Sequence, residues 1–253
     1  MAKPVIIRGL RLGEGMPKIC IPLVEHTREG TLKEAQKLPG FSPDLAEWRA
    51  DFFEDVLKPG CTVKILEDLR QILGDLPILF TYRTKKEGGA FEPPAQEYAD
   101  LLLEAAGSHL ADLFDVELST SPDILKDLVS GIHSCGAKII LSSHNFKETP
   151  SFPDMVSKLH QMQALEADLA KIAVMPHCAS DVLSLLSAVE TVDREGQTPV
   201  IGMAMGGTGL ISRLAGEVFG SAITFGAAEK ASAPGQIDAA ELRRILELLH
   251  NAL

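Results

Sequence analysis

The chain has 253 residues, of which 45% are hydrophobic and 23% charged, enough to bury a large core as one sizeable α/β domain or two small ones. A formal net charge of −11 without any Lys/Arg cluster sets it against phosphate backbones and anionic bilayer surfaces, so neither nucleic acid nor membrane is an expected partner. The four cysteines, Cys20, Cys61, Cys135 and Cys178, are widely spaced with no C-x-x-C, which predicts small buried thiols rather than a disulfide scaffold or a metal centre. Met1-Ala2-Lys3-Pro4 leads into a short apolar run and then Arg8 and Arg11, which is no signal-peptide pattern. No apolar stretch is long enough to span a bilayer, and the expected location is the cytoplasm.

Taken in chain order, residues 5–12 predict a β-hairpin turning near Gly9, after which Gly13-Glu14-Gly15 breaks the pattern. Short apolar runs then alternate with helical patterns. Strands are expected over 18–23, 45–51, 78–83, 113–118, 138–144, 169–175, 200–205 and 222–226. Among the intervening helices, 94–106 places Tyr98, Leu101, Leu102 and Ala105 at helical spacing. The final one, 238–252, puts Leu242, Ile245, Leu246 and Leu249 on one face, with Asp238 placed to cap its start or to sit in its first turn. Eight such βα units in this length predict a single (β/α)8 barrel over residues 1–253, an α/β fold in which the N-terminal hairpin closes one end. An open doubly wound sheet can be drawn through the same elements, but the first βα turns carry neither G-x-G-x-x-G nor a Walker pattern.

In a parallel barrel the chemistry sits at the C-terminal ends of the strands. Those ends carry Glu47, Arg49 and Asp51; Arg83, with Glu87 beyond it; Asp115 and Glu117; His144; Lys171; and Met203 with Met205. Burying a charge without a partner costs several kcal/mol, roughly, so this ring demands an explanation. Lys171 has apolar neighbours on both sides in Leu169-Ala170-Lys171-Ile172-Ala173. Desolvation there would lower its pKa and leave an amine able to attack a carbonyl. The structural alternative is a lysine that snorkels to the rim or pairs with an acid such as Asp115. His144, on the preceding strand, suits proton transfer near neutral pH, although a lone strand-end histidine is more often structural. The glycine-rich turn of residues 203–213 could cradle a phosphate or could be a plain strand-to-helix turn. The small-residue loop Ala231-Ser232-Ala233-Pro234-Gly235-Gln236 reads as a lid or a surface loop.

Several of these runs together resemble the type I 3-dehydroquinate dehydratases: Glu47-Trp48-Arg49-Ala50-Asp51, Thr81-Tyr82-Arg83-Thr84, Ser142-Ser143-His144-Asn145-Phe146, Ala170-Lys171-Ile172-Ala173, Met205-Gly206 with Ser212-Arg213, and Ser232-Ala233-Pro234-Gly235-Gln236. The early Gly13-Glu14-Gly15-Met16-Pro17-Lys18-Ile19 is also similar, so the match runs in order from about residue 10 to residue 237. The resemblance implies conversion of 3-dehydroquinate to 3-dehydroshikimate with loss of water, in the shikimate pathway of aromatic amino acid biosynthesis. It implies that Lys171 forms the Schiff base, that His144 transfers protons, and that Glu87 supports and orients His144. Glu47, Arg49 and Arg83 match residues that hold the hydroxyl side of the ring. Arg213, Ser232 and Gln236 match those that hold the carboxylate and close the lid. A homodimer is implied, with no metal and no cofactor. Pro22 departs from the pattern, standing where the family often has a serine near the substrate. Two rivals remain: a class I aldolase barrel, which would need Gly206–Gly209 as its phosphate site, and a non-catalytic barrel that binds a small polyol acid.

Overall fold

The computed structural model describes residues 2–229 and 232–253. The hairpin forms as expected from β1 (Val5–Ile7) and β2 (Leu10–Leu12), paired antiparallel. Its two turn residues, Arg8 and Gly9, have φ of 45° and 82°, the doubly positive combination that suits a two-residue hairpin loop.

Eight parallel strands follow: β3 (Lys18–Leu23), β4 (Leu45–Arg49), β5 (Ile78–Thr81), β6 (Leu113–Glu117), β7 (Lys138–Asn145), β8 (Leu169–Val174), β9 (Val200–Ala204) and β10 (Ile223–Phe225). Between and after them lie α1 (Arg28–Lys37), α2 (Cys61–Leu73), α3 (Ala95–Gly107), α4 (Pro122–Ser134), α5 (Phe152–Ala164), α6 (Ala179–Glu195), the short α7 (Leu210–Leu214) and α8 (Gly216–Phe219), and α9 (Ala239–His250). The strand order is β10-β3-β4-β5-β6-β7-β8-β9, and a parallel bridge between Val200 and Ser221 brings the two ends together. There the Ala222 N–H donates to the Val200 carbonyl at 2.8 Å, completing a (β/α)8 barrel.

The strands read as nearly continuous apolar runs because both faces are buried, but the two faces bury different things. Outward residues such as Trp48, Phe80, Phe114, Leu141, Ile172 and Ala204 pack against the helices in one large apolar cluster. Inward residues at the bottom of the barrel, Cys20, Leu45, Leu79, Leu113, Ile140, Leu169, Ile201 and Ile223, form a second cluster with Ile7 and Leu12 of the hairpin. The hairpin therefore plugs the N-terminal end. Two residues further up each strand, the period-two alternation brings Glu47, Thr81, Asp115, Ser142 and Lys171 into the interior. The barrel is an apolar plug below and an ionisable layer above.

Several strands are shorter than their apolar runs. The expected 45–51 ends at Arg49, where a 3-10 turn over Ala50–Phe52 begins, and the expected 78–83 ends at Thr81. Asp51 holds both termini: it accepts the Arg49 guanidinium and the Arg83 backbone N–H, which draws the chain off the ladder. Asp238 is the N-cap of α9 and accepts from the N–H groups of Ala240 and Glu241. Pro22 costs β3 no rung to β10, because their pairing ends at Cys20–Phe225. The expectation of four buried thiols fails in part: Cys20 is buried, but Cys178 is exposed, since it occupies the N-cap position of α6, where side chains face solvent. Among the described residues no helix is long and apolar enough to cross a membrane, and no group of three or more His, Cys, Asp or Glu is arranged to hold a metal ion.

Candidate active site

At the open end of the barrel the strands and their loops enclose a cavity of about 70 Å3, whose lining includes Glu47, Arg49, Arg83, Glu87, His144 and Lys171. Ser232, Ala233 and Gln236 cover it, so eight of the nine expected site residues meet in one place. Arg213 is the exception and stands behind that wall.

Lys171 projects from β8 and is only 3% exposed. Its Nζ donates to Asp115 Oδ2 at 2.9 Å and lies 4.6 Å from the centre of the Phe225 ring. Of the two structural alternatives, snorkelling to the rim or pairing with an acid, pairing with Asp115 is the one observed, and the pair is buried. Asp115 in turn binds Arg83 Nη2 at 2.8 Å and accepts from the Ser142 hydroxyl. Burial alone would raise the Asp115 pKa, but the adjoining charges of Arg83 and Lys171 win and hold it well below the usual carboxylate range.

Arg83 is the hub of the acidic side. Its Nη1 donates to Glu117 Oε1 at 3.0 Å and to Ser142 Oγ at 3.1 Å, and lies 3.7 Å from Glu87 Oε2. Burial opposes its charge, yet Asp115, Glu117 and Glu87 together raise its pKa and keep it a cation. Glu117 is also held by the N–H and hydroxyl of Thr84, at 2.8 Å and 2.6 Å. Asp115 and Glu117, whose roles the sequence left open, are thus the counter-charges that make a buried Arg83 and Lys171 tolerable. Arg49 is clamped by Asp51 through two 2.8 Å bonds and lies over Phe52, while Glu47 accepts from Thr81 Oγ1 at 2.8 Å.

His144 ends the inward row of β7, and Glu87 reaches it from the turn after β5. Glu87 Oε2 accepts the His144 backbone N–H at 3.0 Å and meets Nδ1 at 2.9 Å. The backbone bond marks this oxygen as an acceptor, which favours an Nδ1–H on the ring and leaves Nε2 as the lone-pair nitrogen. Burial, with Arg83 and Lys171 nearby, pushes the imidazole well below its ordinary value, which keeps the ring neutral near pH 7. Burial and the Glu117 charge push Glu87 up to about 7 against the pull of Arg83. Phe146 stacks beside His144 with ring centres 6.5 Å apart, and Gly88 fits beneath it, where a Cβ would lie 2.4 Å from the ring.

Arg213, on α7, has no acid partner among the described residues. Its Nη1 points at Met203 Sδ and the Phe225 carbonyl, its Nη2 donates to the Pro234 carbonyl at 3.1 Å, and its buried Nε makes no hydrogen bond. Burial alone pushes its pKa down to about 10. The loop above it closes on itself, with the Ser232 N–H donating to Gln236 Oε1 at 2.7 Å and Gln236 Nε2 donating to Ser232 Oγ at 3.0 Å. Its first expected member, Ala231, lies outside the described residues. In the glycine turn below, the N–H groups of Gly206, Gly209 and Leu210 already donate to the Pro234, Gly206 and Gly207 carbonyls. That leaves fewer donors for the phosphate an aldolase reading would need.

Phe146, Ala173 and Ala233, which carried no role of their own in the motif runs, also line the cavity, as do Gly88 and Phe225, which were not singled out in the sequence. Phe225 could have been found, since alternation places it inward at the end of the last strand.

Comparison with known proteins gives a consistent result. The family model for type I 3-dehydroquinase matches residues 19–252. The 3-dehydroquinate dehydratase of Listeria monocytogenes serotype 4b (strain CLIP80459) is 49% identical over 247 residues, covering 97% of this chain and 98% of that protein. The crystal structure of type I 3-dehydroquinate dehydratase from Clostridium difficile with covalent modified comenic acid has 42% identity and a TM-score of 0.97, with 100% of both chains covered. The 3-dehydroquinate dehydratase from Geobacillus kaustophilus HTA426 has 38% identity and a TM-score of 0.96, covering 98% of this chain and 97% of that one. A family match over residues 19–252, with relatives that share the sequence and the barrel along their length, places the chain in the type I 3-dehydroquinase family.

Proposed function

We propose that the chain, acting as one catalytic domain over residues 1–253, converts 3-dehydroquinate to 3-dehydroshikimate and water through a Schiff base on Lys171. The observation that carries this reading is the convergence of Lys171 and the Glu87–His144 pair on one cavity from the adjacent strands β8 and β7. A site that only bound a polyol acid would need neither a nucleophile nor a base.

In the proposed sequence, the Lys171 ammonium gives up the proton that it donates to Asp115, and that proton ends on the departing carbonyl oxygen. The amine adds to the C3 ketone, and loss of the carbonyl oxygen as water gives an iminium. The iminium draws electrons from C2, and His144 Nε2 removes a C2 proton, leaving an enamine. The enamine electrons then expel the C1 hydroxyl, which leaves as water with the proton returned by His144. Water adds to the product iminium and releases Lys171 and the enone, so the net change is loss of one water.

Glu47, Arg49 and Arg83 stand on the acidic and basic rim, where ring hydroxyls find both acceptors and donors. Arg213 supplies a guanidinium without an acid partner, suited to the substrate carboxylate once the Ser232–Gln236 loop and Met203 make way. A local cation of this kind lets a chain of net charge −11 take an anionic substrate. The covalent modification described for the Clostridium difficile relative supports covalent chemistry within the family. The family likeness also supports a cytoplasmic homodimer in the shikimate pathway, and light scattering after size exclusion tests the dimer.

Ultraviolet detection of the enone from 3-dehydroquinate tests the activity. Wild-type turnover, lost in a folded Lys171→Ala variant, is expected. Near-normal turnover in that variant would refute the imine route.

A further inference from the structure

The Glu87 carboxylate faces two ways. Oε2 looks into the barrel and serves His144, through the backbone N–H at 3.0 Å and Nδ1 at 2.9 Å. Oε1 looks out of the barrel and accepts the Ser119 hydroxyl at 2.9 Å, its one hydrogen-bond donor among the described residues. Glu87 is only 5% exposed, whereas Ser119, just past the end of β6, is exposed. It lines a separate cleft of about 380 Å3 between the loops that follow β5 and β6, together with Thr84, Lys86, Tyr98, Glu117 and Ser121. This cleft lies behind the acid, away from the cavity that holds Lys171.

We propose that Ser119 is a positioning residue for the Glu87–His144 pair: its hydroxyl pins Oε1, so that Oε2 stays an acceptor for the Nδ1–H of His144. This rests on the reading of that pair as the proton-transfer machinery. The geometry gives the hydroxyl leverage because it alone donates to Oε1 among the described residues, on a carboxylate whose acidic neighbours oppose its charge. The groups facing Glu87 are Arg83 from the end of β5, Asp115 and Glu117 from β6, and His144 from β7, with Lys85 and Lys86 on its own turn. The two acids disfavour its ionisation, and Arg83 is divided among three carboxylates. If Glu87 takes up a proton it donates to Nδ1, and the ring must then carry its hydrogen on Nε2, the nitrogen that has to act as base. Activity therefore needs the ionised carboxylate, present above the pair's apparent pKa, and removing a donor to that form moves the acid limb to higher pH.

The test is kcat and KM against pH for the full-length wild type and its Ser119→Ala and Ser119→Thr variants, with 3-dehydroquinate as substrate. For Ser119→Ala the acid limb of kcat is expected to move up by about one pH unit, the effect of losing one hydrogen bond to a carboxylate, with KM within about twofold of wild type. Ser119→Thr, which keeps the hydroxyl, is expected to restore the wild-type limb. A Ser119→Ala profile that superimposes on wild type, or one lowered equally at every pH, would overturn the proposal, as would a threonine variant that behaves like alanine. His144→Ala, assayed alongside, separates the two levels of failure. If it is inactive while the Ser119→Ala limb is unmoved, only the role of Ser119 falls; if it turns over normally, the proton-transfer reading falls and the role of Ser119 with it.

Discussion

Replacing Glu87 by glutamine should make the protein more stable and less active, with a stability gain that depends on pH. The side chain keeps its shape: the amide oxygen can still accept from the His144 N–H groups, and the amide nitrogen can donate to Ser119. What disappears is a buried negative charge among Glu117 and Asp115. Burial and Glu117 raise Glu87 from an ordinary 4.5 to about 7, so the folded protein holds a proton that the unfolded chain releases over that interval. A raised carboxylate stabilises the fold below about pH 4.5 and loses that contribution as pH climbs through 7. At pH 8 the wild type therefore carries a penalty of up to about 3 kcal/mol that the glutamine variant escapes. In a domain of this size that is up to about 6–12 °C in Tm. Thermal unfolding of both proteins at pH 5 and pH 8 is the assay, with kcat at pH 7 expected to fall about 100-fold as the imidazole loses its charged partner. A Tm difference that is the same at both pH values, or a variant less stable at pH 8, would refute the reasoning, because either would mean that Glu87 is not held above its ordinary value.

Two further substitutions separate steps of the proposed reaction. In His144→Ala the imine should still form on Lys171 and accumulate, since only proton transfer is crippled; intact-mass analysis after borohydride reduction reads this, and loss of the adduct would show that His144 has been given the wrong role. Arg213→Leu removes a buried cation without an acid partner, so Tm should be unchanged or higher. KM for 3-dehydroquinate should rise at least about tenfold, and an unchanged KM would contradict a carboxylate-binding role.

The fold was legible because the barrel states its rules locally. Inward residues recur every second position, so Glu47 and Arg49, Asp115 and Glu117, and Ser142 and His144 announce a polar upper layer on strands that are otherwise apolar. The hairpin plug was legible for the same reason, since Ile7 and Leu12 alternate with exposed residues across a turn at Gly9. Strand ends were not, because Asp51 takes the Arg49 guanidinium and the Arg83 backbone N–H just past the last rungs, and no periodicity encodes the reach of that side chain. Pairing across the barrel was equally hidden: Lys171 and Asp115 are 56 residues apart and meet only once β6, β7 and β8 close up. Arg213 illustrates the limit from the other side. Its residue type suggested anion binding, but its place behind Met203 and Phe225 depends on the direction of α7, a five-residue helix with no pattern of its own. Ser119 carried no signal at all, since a serine after a strand is ordinary until Glu87 is found beside it.

The central claim is that Lys171 bonds covalently to the substrate, and borohydride reduction during turnover of 3-dehydroquinate tests it most directly. Intact-mass and peptide mapping should find one substrate-derived adduct, on Lys171, formed only when substrate and reductant are both present. Enone production without any adduct on Lys171 would contradict the account, leaving the dehydration in place but removing the lysine from its chemistry.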